Sequence, residues 1–135
     1  MKKLNWVLDL LALIEERKSA PFVWGQNDCV LFAADCIVVM GNVDPAAASR
    51  GKYKTEQGAK RHLASVYGDL YKAWDSKLER LDNINFVQNG DVAVYDSELG
   101  LTSGIYWNGG VFSPSETGVI LLTEMHHKIL AAWRV

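Results

Sequence analysis

The spacing of apolar residues divides the chain into a helical half and a strand-bearing half. Trp6, Val7, Leu10, Leu11, Leu13 and Ile14 recur at helical intervals, with Asn5 as a candidate cap and Glu15 to Lys18 closing the segment before Pro21. That pattern predicts an amphipathic first helix. From Cys29 to Met40 the only charged residue is Asp35, and Cys29, Phe32, Ala33, Cys36, Ile37 and Met40 fall on one stripe. A helix that is apolar on most sides predicts a central, buried element, with Asp28 as its N-cap. Asp44-Pro45 followed by three alanines predicts a short helix stopped at Gly51. Thr55 starts another through Leu63 to Tyr67, and Asp69 caps a last one carrying Leu70, Ala73 and Trp74.

From Ile84 the period changes. Asn89-Gly90 is a turn, Asp91 to Tyr95 alternates as a strand, and Leu101 to Trp107 is joined through Asn108-Gly109-Gly110 to Val111-Phe112-Ser113 as a tight hairpin. Gly118 to Thr123 and Lys128 to Val135 supply two more strands, with Trp133 on the core side of the last. Trp107, beside the hairpin turn, is the tryptophan expected to be exposed. Helices first and antiparallel strands second predict a single α+β domain over residues 1–135, with the central Cys29 helix packed on a C-terminal antiparallel sheet.

Composition narrows the function classes. With 135 residues, 49% hydrophobic and 22% charged, the chain suits one domain with one core. No apolar run is long enough to span a bilayer and no cleavable signal pattern opens the chain, so neither membrane insertion nor secretion through a leader is expected. The net charge of −2 and the dispersed lysines and arginines give no footprint for nucleic acid. Cys29 and Cys36, seven residues apart on one helix, are separated by roughly 10 Å, beyond disulfide reach. No Cys/His grouping has metal-ligand spacing, so no metal or other cofactor is expected.

Candidate chemistry gathers at Cys29. A thiol at the first helical position feels the positive end of the helix dipole and free backbone N–H groups, which favour thiolate. The alternative is a capped core helix whose first residue is an inert, buried cysteine. Trp24 either lines a groove beside Cys29, together with Asp28, or packs its loop against the sheet. His62 falls on a surface helix and is expected to be solvated. His126 and His127 fall at the turn between the last two strands, where exposed polar residues are expected; the alternative is that the turn folds over the site and brings one of them to Cys29.

The order of motifs resembles the NlpC-type family of cell-wall cysteine peptidases, which have a papain-like fold. The residues that carry the resemblance are Trp24-Gly25-Gln26-Asn27-Asp28-Cys29, then Gly90-Asp91-Val92, then Thr102-Ser103-Gly104-Ile105-Tyr106. Within that family the chain is similar to a divergent branch of small phage tail-associated proteins. The shared elements are the Phe-x-Trp-Gly-x-x-Asp-Cys opening at Phe22, Arg50-Gly51-Lys52-Tyr53, and an Ala-Trp-Arg-Val ending at Ala132 to Val135. The resemblance implies cleavage of peptidoglycan stem peptides by Cys29 as nucleophile.

Two further positions matter to that chemistry. The family histidine on the Gly-Ile-Tyr strand corresponds to Thr102, and the third polar residue falls by hairpin register at about Ser113. Neither can take a proton from a thiol near neutral pH, and loss of a general base costs orders of magnitude in rate. The expectation is therefore a tail-tip or tail-assembly component of the virion, made in the host cytoplasm, bound to tail hub proteins and impaired as a peptidase. The alternative is an active endopeptidase that opens the cell wall during phage entry.

Overall fold

A computed structural model describes all 135 residues. Four helices precede the sheet: α1 (Trp6–Arg17), α2 (Cys29–Val39), α3 (Glu56–Val66) and α4 (Leu70–Asp75). Six strands follow: β1 (Glu79–Arg80), β2 (Val92–Ser97), β3 (Gly100–Trp107), β4 (Gly110–Ser115), β5 (Gly118–Leu122) and β6 (Ile129–Arg134). Every pairing is antiparallel, in the order β1-β6-β2-β3-β4-β5. Strands β2 to β5 form a meander, and β6 returns to lie beside β2. The α+β class predicted from the change of period is the observed one.

Helix α2 is the centre of the core. Leu31, Phe32, Ala33, Ala34, Cys36 and Ile37 are buried along it. Phe32, Ala33, Cys36 and Ile37 pack with Val92, Val94, Ile105, Phe112 and Trp133 from the sheet and Leu10 and Leu13 from α1. Alternation along the strands turns Ala93, Tyr95 and Val111 to the other face, where they form a smaller cluster with Met125 and Ile129. The one charge on α2 is held at its edge: Asp35 lies 2.7 Å from both the Arg17 and the Arg50 guanidinium. Both cysteines are free.

The C-terminal residues lock the sheet. Asp91 is fully buried and accepts from the Arg134 Nε at 3.1 Å, from the Val135 N–H at 3.2 Å and from the Gln88 N–H at 2.9 Å. Trp133, fully buried, donates its indole N–H to Asp75 at 2.9 Å. Ala-Trp-Arg-Val and Gly-Asp-Val are thus two halves of one structural clasp.

Several expectations are corrected. Residues 45–50 form successive turns, not a helix. The Asp44 carboxylate accepts from the Ala46 N–H and from Arg50, drawing Arg50 back toward α2 before a helix can propagate. Asn5 makes no side-chain cap to α1. Trp107 is partly buried, edge-on to Trp6 at 6.3 Å and close to Phe112, because α1 crosses the hairpin end. No helix is long and apolar enough to cross a membrane.

Candidate functional site at the head of the central helix

The loop before α2 is shaped around one carboxylate. Asp28 has extended backbone and caps α2, its Oδ1 accepting from the Leu31 N–H at 3.0 Å. Its Oδ2 accepts from the Gly25 N–H at 3.0 Å and from the Tyr53 hydroxyl at 2.7 Å. Three donors on a carboxylate only 1% exposed satisfy a charge that would otherwise be costly to bury. Gly25 has φ +83°, and a Cβ there would stand 2.0 Å from the Tyr53 carbonyl oxygen. The Gly51 N–H donates to the Gly25 carbonyl at 3.1 Å. The Arg50-Gly51-Lys52-Tyr53 segment therefore docks on the Trp24-Gly25 loop, with Arg50 on Asp35 and Tyr53 on Asp28.

This docking shapes a half-open cavity of about 110 Å³ over the head of α2, bounded by residues 45–53, α3, α4 and the start of β3. Cys29, Trp24, Asp28 and Thr102 all line it, so four of the five sequence-predicted site residues come together. Ser113 does not join them. Phe112 points into the core with α2, so Ser113 faces the other side of the sheet, where its hydroxyl accepts from the Tyr95 hydroxyl at 2.9 Å. The Thr102 hydroxyl is engaged at the β2–β3 turn, 2.6 Å from the Ser97 hydroxyl of β2 and donating to the Gly100 carbonyl at 3.1 Å.

The β3 residue that meets Cys29 is Ser103, whose hydroxyl donates to the Cys29 carbonyl at 3.4 Å. Burial pushes the Cys29 thiol up to about 11; hydrogen bonding from Ser103 opposes this, and the neighbouring Asp28 charge adds to it. The thiolate predicted from the helix dipole is therefore not the resting form. Desolvation outweighs the dipole, and the negative capping charge beside the thiol adds to it. Tyr53 is also pushed up, by burial and then by Asp28, and so remains a hydrogen-bond donor at neutral pH.

The chain matches, over residues 1–135, a family model described as Domain of unknown function (DUF6950). It belongs to that family. No curated protein matches the sequence. In this DUF6950 chain no three histidine, cysteine, aspartate or glutamate side chains come together as a metal site.

One histidine expectation changes, while His126 and His127 are exposed at their turn as expected. His62 is not simply solvated: it lines the Cys29 cavity, its Nε2 lies 3.0 Å from the Ser49 hydroxyl, and its ring stands 5.6 Å from that of Tyr53. Ala59, His62 and Leu63 fall at helical spacing on α3 and all line the cavity, a short stripe from which the inward position of His62 could have been read. No hydrogen bond joins His62 to Cys29. His126 and His127 line a separate shallow depression with Asn108, Glu124 and Lys128, away from Cys29.

Proposed function

We propose that the chain is a papain-like domain of the NlpC type that serves as a tail-tip or tail-assembly subunit in a virion, without peptidase activity of its own. The observation that carries the second half of this reading is the Cys29 thiol, raised to about 11 with no imidazole hydrogen-bonded to it. A cysteine peptidase needs thiolate and a base within reach. A cysteine-headed helix laid on an antiparallel sheet, with Asp91 at the start of β2, supports the papain-like assignment. An exposed apolar stripe on and before α1, formed by Leu4, Val7, Leu8 and Leu11, supports a subunit that is covered by a partner such as a tail hub protein.

Peptidoglycan fragments incubated with the purified protein test the first point, with stem-peptide cleavage followed by mass spectrometry. No cleavage above that of Cys29→Ser is expected, and cleavage lost in that variant overturns the reading. For the tail assignment, the chain is expected in purified particles of a phage that encodes it, and Leu8→Glu is expected to remove it while leaving the isolated fold unchanged.

One observation favours a second reading, an active endopeptidase acting on peptidoglycan peptides during entry: His62 shares the cavity with Cys29. Under that reading a movement of α3 brings the imidazole to the thiol, and His62→Ala abolishes cleavage as completely as Cys29→Ser.

A further inference from the structure

We infer that the cavity beside Cys29 is a binding site for a small amphipathic carboxylate, a molecule with a short apolar body and one anionic end. The inference stands apart from the tail assignment and from any peptidase activity.

Three observations carry it. First, thirteen of the twenty lining residues are hydrophobic, among them Trp24, Val30, Leu63, Leu70 and Trp74. At about 110 Å³ the space approaches the ~150 Å³ that admits a benzene-sized guest in an engineered apolar cavity. Second, Asp28 keeps its charge but has its oxygens taken by three donors, whereas Lys77, which lines the cavity beside the Glu56-paired Lys60, has no ion-pair partner. An apolar chamber with free positive charge at its edge is complementary to an amphiphile with a negative end, and it disfavours a cationic one.

Third, the Trp74 ring lines the cavity while its indole N–H, buried, has no acceptor. Unpaired buried donors are uncommon in folded proteins. A carboxylate or carbonyl oxygen seated against the ring, with a small adjustment of its tilt, supplies the missing acceptor. The other fully buried indole, Trp133, already has Asp75.

The route in is α3. No residue of this helix is buried. Its hold on the rest of the site includes the His62–Ser49 hydrogen bond, the Tyr53–His62 ring contact and the packing of Leu63. The floor, by contrast, is built from α2 and α4.

Calorimetric titration of the full chain with hexanoate, octanoate and decanoate below their micellar concentrations tests the inference, with decanol and decyltrimethylammonium as comparisons. Saturable one-to-one binding of the carboxylates is expected. Each added methylene should tighten it severalfold until the chamber is full, and the cationic amphiphile should bind at least tenfold more weakly than decanoate. Trp74→Phe should weaken decanoate about tenfold, and Lys77→Glu should weaken decanoate but not decanol. Ala73→Leu, which fills the chamber, should remove binding with an unchanged far-ultraviolet spectrum. Absence of saturation overturns the proposal. So does equal binding of the cationic amphiphile, or binding that survives both Ala73→Leu and Ala59→Leu, since these mark adsorption to an exposed surface such as the α1 stripe.

Discussion

At the scale of single residues the site turns on a competition at Cys29. The helix dipole and the Ser103 donors favour the thiolate; burial and the Asp28 charge favour the thiol and win. The sequence supplies the first pair of influences directly, because Asp-Cys before an apolar run marks a helix head. It hides the second, because the depth of burial depends on Tyr53 and α3 closing over that head from 24 or more residues away. Alkylation of Cys29 by iodoacetamide at pH 7 to 8 is accordingly expected to run on the order of a hundredfold slower than that of a cysteine at its ordinary pKa of 9.0. The folded thiol lies near 11 against an ordinary value of 9.0, so the unfolded chain ionises first as pH rises. The stabilisation associated with the neutral thiol is complete below about pH 9 and is lost as pH climbs toward 11. The urea midpoint of the wild type should therefore fall more steeply across that window than that of Cys29→Ser, which keeps Cys36 and both buried tyrosines. Parallel slopes would show that Cys29 is not the titrating group.

At the scale of elements, what could be read was what alternates or caps locally. Helix α2, its Asp28 cap, the β3–β4 hairpin and the inward Trp133 follow from periodicity and turn chemistry, and the structure has them. What could not be read depends on distant partners. The turns at 45–50 replace a helix because Arg50 is claimed by Asp35 and Asp44. Strand β1, two exposed residues, carries no pattern of its own and exists only through its pairing with β6. The docking of residues 50–53 on the Trp24-Gly25 loop is of the same kind, and it sets a prediction. Alanine at Gly25 needs a left-handed backbone at φ +83° and places its Cβ 2.0 Å from the Tyr53 carbonyl oxygen. Left-handed strain costs about 1–2 kcal/mol and overpacking about 1–3 kcal/mol, so Gly25→Ala is expected to destabilise the fold by roughly 2–5 kcal/mol. Gly51→Ala has similar left-handed strain but nothing within 4 Å of the new Cβ, and should cost only the strain. Chemical denaturation of the two variants separates them; equal losses would mean that the loop does not rest on Tyr53.

At the scale of the whole molecule, stability is distributed unevenly around the cavity. Its floor belongs to the main core, where α2 and Trp74 of α4 pack with Trp133 and the sheet. Its roof, α3, buries no residue. An element with so little buried apolar surface opens at a smaller free-energy cost than the core does. Local caps do not change this balance: Thr55 accepts from the Gly58 N–H, which holds the first turn together without attaching the helix to anything beneath it. Hydrogen exchange at neutral pH should therefore show α3 amides exchanging by local opening, well ahead of those of α2, β2 and β6, whose exchange should approach the global unfolding limit. Removing the His62 imidazole should widen the gap. In His62→Ala, protection in α3 should fall by about twofold to tenfold, the range expected for a hydrogen bond of about 0.5–1.5 kcal/mol, while α2 stays unchanged. If α3 and α2 exchange together in the wild type, the roof is part of the core unit and access to the half-buried Cys29 is limited to the existing mouth of the cavity. If they separate, α3 widens that access independently of the core, and the chemistry available to the site depends on how often that helix lifts.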